Sequence, residues 1–450
     1  MSKTSKTVSF LTLGCKVNQY ESDGMAENLK RAGYSIVEFG EKADYTVINT
    51  CAVTNIASRK SRQMMSKAKK INKDTVLIAC GCYIQSVEDV LNELPIVDIF
   101  LGNNQKNEIV SFISEYEENH QRQNHIIDIN HTSAYENFAI TMTEGHTRAY
   151  VKVQDGCNRF CTYCIIPYVR GRVRSRDIAE IVNEVTALAK AGYKEIVVTG
   201  IHVTSYGLDV EDPEINFSNL LVRLNSIEGI ERIRMGSLEP NVITPEFVNT
   251  IKGLKKLCPH FHLSLQSGSN ATLKRMNRHY TTEEYAYGVE LLREAYDRPA
   301  ITTDVIVGFP GETDEEFLET YKYLEELNLY EMHIFPYSKR KGTKAENFSD
   351  QIDGNTKHSR AERLRKMSAA NKSTFEETFL MEELEVLIEE AVEINGERYF
   401  VGHTTRYVKN AIKADNLNPG NISRISAHKI SHYLINRVRT LLIQRRINIS

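Results

Sequence analysis

No run of about 18 apolar residues occurs in this 450-residue sequence, so no helix is expected to span a bilayer. The opening Met-Ser-Lys-Thr-Ser-Lys-Thr lacks the apolar stretch of a secretion signal, which makes the cytoplasm the expected compartment. An excess of basic charge is also missing. At a net charge of −3 there is no global field to attract nucleic acid, and any such contact must come from local patches of arginine and lysine. The hydrophobic fraction of 41% and the charged fraction of 26% are ordinary, which excludes a largely disordered or fibrous chain. The length suits about three domains of roughly 150 residues each.

Short β-rich runs at residues 8–13, 45–49, 75–79 and 97–101 alternate with helix formers at 19–32 and 57–70. This alternation predicts a parallel α/β domain over residues 1–115. Residues 116–147, polar and rich in His and Asn, read as a linker with room for one strand. A second series follows at 148–153, 195–199, 232–236, 261–265, 301–307 and 331–335. Six such repeats predict a partial (β/α)6 barrel over 148–378, with its chemistry at the carboxyl ends of the strands. A charged helix at 356–379 leads into β-type alternation at 384–394 and 398–414, the start of a small C-terminal β-barrel over 379–450.

Eight cysteines in a reducing compartment read as metal ligands or catalytic thiols and not as disulfides. Cys157, Cys161 and Cys164, spaced CxxxCxxC, follow directly on the first strand of the second series. Three thiolates can hold three irons of a 4Fe-4S cluster and leave the fourth iron open. A structural zinc is the alternative, but zinc takes four ligands and no fourth Cys or His stands at finger spacing. Cys15, Cys51 and Cys82 each follow a predicted strand of the first series. Carboxyl ends of neighbouring parallel strands converge at one sheet edge, so these thiols can meet as a second cluster; the alternative is three small buried residues.

The CxxxCxxC spacing is that of the radical S-adenosylmethionine superfamily. With both sets in view, nearly the whole chain resembles the methylthiotransferases, which couple a dispersed N-terminal cluster to a radical S-adenosylmethionine barrel and a C-terminal TRAM domain. Leu11-Thr12-Leu13-Gly14-Cys15-Lys16-Val17-Asn18-Gln19-Tyr20-Glu21-Ser22 is similar to the type acting on N6-threonylcarbamoyladenosine beside the anticodon of tRNA. A sister type acting on isopentenyladenosine has Phe before the Gly and Gln-Met-Asn after the Cys, and another modifies a ribosomal-protein aspartate. The resemblance implies two 4Fe-4S clusters and S-adenosylmethionine, with Cys15, Cys51 and Cys82 as auxiliary ligands and Cys157, Cys161 and Cys164 as ligands of the radical cluster. Periodicity does not choose between Cys80 and Cys82, which would share a face of a continuing strand. The family's Gly-Cys-Tyr selects Cys82. Cys80 stays unassigned, and Cys258, with no partner cysteine nearby, reads as a packed thiol.

Other segments match the family at strand ends: Gly200-Ile201-His202-Val203-Thr204-Ser205-Tyr206-Gly207, Ser237-Leu238-Glu239-Pro240 and Leu265-Gln266-Ser267-Gly268-Ser269. Gly200, Tyr206, Glu239, Gln266 and Ser267 are the candidate contacts to S-adenosylmethionine, against the alternative of ordinary loop residues. The histidines His202, His262, His279 and His333 show no metal spacing and read as packed or surface side chains. Arg170, Arg172, Arg174 and Arg176 alternate, so an extended strand would turn all four to one side as a grip for the phosphates of an anticodon loop. A solvated or cofactor-binding face is the alternative. The C-terminal module resembles TRAM, an RNA-holding OB-like barrel, except that residues 426–446 suit a basic helix as well as closing strands.

The resemblance implies replacement of the C2 hydrogen of the modified adenine by a methylthio group. It brings with it an electron donor such as flavodoxin or ferredoxin and a sulfur source, with no membrane or DNA partner. A C2 hydrogen has no useful acidity, so a radical route is required. The rivals are a ribosomal-protein aspartate as substrate and a non-catalytic RNA-binding iron-sulfur sensor. Protein purified without oxygen should contain iron and sulfide in equal amounts; metal analysis that finds zinc and no iron would overturn the cluster reading.

Overall fold

The computed structural model describes residues 5–138, 140, 147–394, 396–413 and 417–426. The first domain is a six-stranded parallel sheet in the order β2-β1-β3-β4-β5-β6. Its strands are β1 (Thr7–Thr12), β2 (Ser35–Val37), β3 (Tyr45–Thr50), β4 (Val76–Gly81), β5 (Ile99–Leu101) and β6 (Gln123–His125). β3 is buried at every position, as a central parallel strand covered on both faces must be. Helix α1 (Lys16–Arg31) packs one face around Val8, Tyr20 and Met25, and α2 (Asn55–Ile71) the other around Ile48, Met65 and Ala79. Strand order reverses between β1 and β3, and at such a switch point the flanking loops part to leave a crevice. The loops carrying Cys15 and Cys51 leave from those two strands.

The expected linker is part of this domain. The helix Ile109–Asn119 runs through residue 115, β6 pairs in register with β5 (Ile99↔Gln123), and Phe138 and Ile140 insert into the core beneath α1. The sequence hides this because Gln-Asn-His has no β-type alternation; pairing with an existing strand holds it. β2 also lay outside the predicted strands.

The second domain is the partial barrel. β7 (Ala149–Asp155), β9 (Glu195–Gly200), β10 (Arg232–Met235), β11 (His260–His262), β12 (Ala300–Val307) and β13 (Glu331–Pro336) run parallel in chain order, and a two-residue β8 (Arg174–Ser175) pairs antiparallel with β7. The single bridges Ile233↔Leu257 and Leu238↔Leu263 join β10 to the β11 side. The helix Gly354–Glu377 closes the series, its Ser368 hydroxyl accepting from Met332 N at 2.9 Å.

Beyond it, β14 (Glu383–Ile394), β15 (Glu397–Thr404), β16 (Lys409–Ile412) and β17 (Ile422–Ser426) form an antiparallel sheet in the order β16-β15-β14-β17. This sheet docks beneath the barrel: Arg232 donates to His403 O and Arg234 to Thr404 O and Thr405 O. Whether residues 427–446 close a barrel lies outside the described residues. Among those described, no helix is long and apolar enough to cross a membrane.

The first two domains meet over buried charge. Glu21 of α1 pairs with Lys106 of its own domain and, across the joint, with Lys152 at 2.9 Å and with Arg170, all four fully enclosed. Burial works to raise the Glu21 pKa, but the Arg170, Lys106 and Lys152 cations overcome it and hold the carboxyl well below its usual range. Its stabilising effect is therefore complete above the unfolded value of about 4.3 and is lost as pH falls through the lower folded value. Replacing Glu21 by Gln leaves three buried cations short of a carboxylate, and at neutral pH should cost about 3–5 kcal/mol, read as a lowered unfolding midpoint.

Candidate functional site

Cys15 is the N-cap of α1, where the helix dipole favours a thiolate. Cys51 follows β3, and Cys82 opens the short α3 (Cys82–Gln85). Gly81 separates Cys80 from Cys82: at φ 94° it turns the chain off the strand. Cys80 then packs with Val8 and Tyr20 on one face of the sheet, and Cys82 with Ala52 and Val169 on the other. A Cβ on Gly14 would stand 3.0 Å from Cys51 Cβ, so the loop of Cys15 passes directly over Cys51. Burial pushes the Cys51 thiol up to about 11, with Cys82 and Cys15 adding to the rise.

All eight cysteines are free. Cysteines bind a metal centre as thiolates, and the cation drives the loss of their protons. The surroundings match such a centre. Arg170 Nε donates to Cys82 Sγ at 3.3 Å, and Asn103 Nδ2 lies 3.8 Å from the same sulfur. Glu21 and Asp155 pair with four cations, Lys106, Lys152, Arg170 and Arg174, while the buried Glu136 near Lys106 and Lys152 has its carboxyl pushed up by burial, and the surplus positive charge suits thiolate ligands.

The second set stands on a loop built from strained backbone. Gly156 has φ 72°, and a Cβ there would fall 1.8 Å from Arg172 O. Phe160 (φ 50°), Gln266 (φ 72°) and Asn277 (φ 58°) also adopt left-handed conformations. Strain of this kind persists only where the surroundings over-determine it. Here Cys157 N donates to Gly171 O, Thr162 N to Met276 O, and the Asn277 amide to Arg159 O and Phe160 O. Burial, with the neighbouring Cys161, lifts the Cys164 thiol, and burial pushes Cys157 up to about 11. Arg278 supplies the compensating charge: Nη1 donates to Cys161 Sγ at 3.2 Å and Nη2 to Glu239 at 2.9 Å. This set fits a metal centre on the same grounds as the first.

The two sets share one segment. Arg170 reaches Cys82 with its side chain, and the carbonyl of the next residue accepts from Cys157 N. On the far side, Arg340 after β13 bonds Asn55 and Ser58 at the start of α2, near Cys51.

The candidate cofactor contacts separate. Glu239 sits beside the second set, bonded to His202 Nε2 at 3.2 Å and to Arg278. Gln266 has an amide without a hydrogen-bond partner among the described residues and forms the parallel bridge to Val305. Gly200 keeps space for Gln154, whose Oε1 accepts from His202 N. Tyr206 is a correction: its ring lies in the barrel core and its hydroxyl is committed to Arg176 O. Ser267 is buried, its hydroxyl 3.3 Å from that of Thr320.

The arginine stripe is corrected as well. Arg170, Arg174 and Arg176 are buried, held by Glu21, by Asp155 and main-chain carbonyls, and by Glu184 respectively. Only Arg172 is exposed, over the Phe160 ring. Residues 170–173 form no strand, so alternation in sequence does not become one face. His262 and His333, expected as packed or surface side chains, converge with Asp304 so that one ligand atom of each lies within 4.8 Å of the others. Adjacent strands bring them together, which sequence spacing does not reveal. Sequence reasoning also missed Asn103, Asn277, Arg278 and Arg340, which occupy no motif. Asn18 and Glu21 offered a signal, following Cys15 at helical spacing.

The model of the Radical SAM superfamily matches residues 151–324, and that of Uncharacterized protein family UPF0004 matches residues 7–102. The threonylcarbamoyladenosine tRNA methylthiotransferase MtaB of Bacillus subtilis (strain 168) is 42% identical over 95% of this chain and 94% of its own length. The chain belongs to the tRNA methylthiotransferase family. The MtaB protein of Aquifex aeolicus (strain VF5) is 40% identical over 87% of the chain and 95% of its own length, and the tRNA-2-methylthio-N(6)-dimethylallyladenosine synthase of Clostridium tetani (strain Massachusetts / E88) is 38% identical over 82% of each. Among solved structures, the radical S-adenosylmethionine methyltransferase TsrM of Kitasatospora setae matches with a TM-score of 0.54 at 13% identity, over 74% of this chain and 73% of that one, which establishes likeness of fold.

For a methylthiotransferase with two centres, the paired cysteines Cys80 and Cys82 give a direct test. Cys82→Ala should retain about half the iron of the parent. Cys80→Ala should keep all of it and lose only packing, on the order of 1 kcal/mol. The reverse pattern in iron analysis would exchange the two assignments.

Proposed function

We propose that this methylthiotransferase converts N6-threonylcarbamoyladenosine beside the anticodon of tRNA to its 2-methylthio derivative. The observation that carries the reading is the segment around Arg170 and Gly171, which touches Cys82 with one residue and Cys157 with the next. A reaction that must break an unreactive C–H bond and deliver sulfur to the same carbon needs two centres at one substrate. Bound clusters and S-adenosylmethionine would supply the one-electron chemistry, the sulfur and the methyl group, which side chains cannot.

The chain's own residues hold and orient. Cys157, Cys161 and Cys164 would hold one cluster and Cys15, Cys51 and Cys82 the other, with Arg278 and Arg170 balancing thiolate charge. Glu239 and Gln266, at strand ends, would bond S-adenosylmethionine. Arg172 and the sheet from Glu383 would meet the RNA. A low-potential electron donor such as flavodoxin or ferredoxin, a sulfur source and a cytoplasmic site belong to this reading, because the clusters need reduction and resupply.

Deleting the gene should remove the methylthio form of threonylcarbamoyladenosine from tRNA digests, measured by mass spectrometry of nucleosides. An unchanged profile refutes the proposal. Reduced, reconstituted protein should also release deoxyadenosine, which a non-catalytic sensor would not do.

A further inference from the structure

The barrel lumen holds a cavity of about 370 Å³, with Lys16, Arg148 and Arg234 among its lining residues, together with His262, Asp304 and His333. Its fixed charges are matched almost throughout. Arg148 pairs with Glu195 at 3.0 Å and with Glu389, and Arg234 with Glu195 at 2.7 Å. Asp304 faces His262 at 3.3 Å, and Glu331 is met by Lys372 at 2.6 Å. Lys16 is different: it lines the cavity while remaining exposed to solvent, and its ammonium has no hydrogen-bond or carboxylate partner among the described residues. An accessible cation beside two arginines at the edge of a polar cavity attracts an anion that enters it.

The place narrows the choice of anion. Lys16 follows Cys15 directly, and the cavity extends to Gly236 and Ser237, close in sequence to Glu239. An anion held by Lys16 would therefore lie one residue along the chain from the Cys15 thiol. An amino acid joined to adenine through its nitrogen by a carbamoyl group keeps a free carboxylate, whereas a dimethylallyl substituent has no charge. We propose that Lys16 binds the carboxylate of the threonylcarbamoyl group and that this cavity is the specificity pocket of the enzyme, with His262, Asp304 and His333 offering hydrogen bonds to the hydroxyl and ureido groups. The inference rests on the substrate reading above and adds the residue that selects it.

The test uses reconstituted holoenzyme and anticodon stem-loop RNAs carrying threonylcarbamoyladenosine either as the free acid or as its methyl ester. Wild-type kcat/KM for methylthiolation should favour the acid by about 10- to 100-fold, the range of one charge-assisted hydrogen bond. Lys16→Gln, with Lys16→Met as a second neutral variant, should reduce that preference to about 2-fold through KM, and Lys16→Arg should retain most of it. Equal wild-type turnover of acid and ester overturns the pocket without recourse to any variant. So does an undiminished preference in the neutral variants, or an equal loss on both RNAs, which would place Lys16 on a phosphate or on the carboxylate of S-adenosylmethionine. Wild-type enzyme that methylthiolates neither RNA would instead remove the substrate reading itself.

Discussion

The first cysteine set and the joint between the two domains depend on one buried guanidinium. Arg170 donates through Nη1 and Nη2 to Glu21, through Nη2 to Asn18 Oδ1 at 2.6 Å, and through Nε to Cys82 Sγ. Its planar fork fixes all of these directions at once, which a lysine ammonium would not. Asn18 in turn donates to Leu13 O and Thr50 O, the backbone just before Cys15 and Cys51. One side chain from the barrel thus sets the positions of three loops in the other domain. The domains cannot slide against each other without uncovering this charge, and the cost of doing so is the cost of an unpaired buried ion.

The same constraint explains why so much positive charge is enclosed. Buried ion pairs seldom add stability over apolar packing, because desolvation offsets the attraction. A surplus of cations over carboxylates makes less sense still as a device for stability alone. It becomes intelligible when the missing anions are thiolates. Arg170 on Cys82 and Arg278 on Cys161 are equivalent solutions on two unrelated loops, each a guanidinium that also holds a carboxylate, Glu21 in one case and Glu239 in the other.

The sequence made the architecture legible where periodicity carried it: all six barrel strands begin within one residue of expectation, because buried parallel strands read as apolar runs bounded by turns. β11 is shorter than expected, ending at His262, and beyond it the pairing is reduced to single bridges at Leu263 and at the left-handed Gln266. Cysteine positions were legible from spacing and from following strands. The roles of the arginines were not. Alternate arginines look alike in sequence whether they face water or a carboxylate, and the partners that bury them lie far away, Glu21 149 residues from Arg170. Tyr206 misled for the opposite reason: a motif residue can be held by what it packs against and not by what it binds.

Glycine and left-handed residues complete the argument about the second loop. A loop carrying three thiols gains rigidity when metal binds, and a flexible one would lose much of the binding energy to ordering. Here Gly156 is held by the Asp155 and Gln154 side chains, while Phe160 and Thr162 are held by the Asn277 amide and Met276 O of the segment ending in Arg278, so the loop is shaped by protein contacts alone. The ordering cost is met during folding. Because Arg278 belongs to that same segment, the group that neutralises Cys161 arrives with the contacts that shape the loop. Geometry and charge compensation are then one structural event, and a substitution that loosens Asn277 would disturb both together.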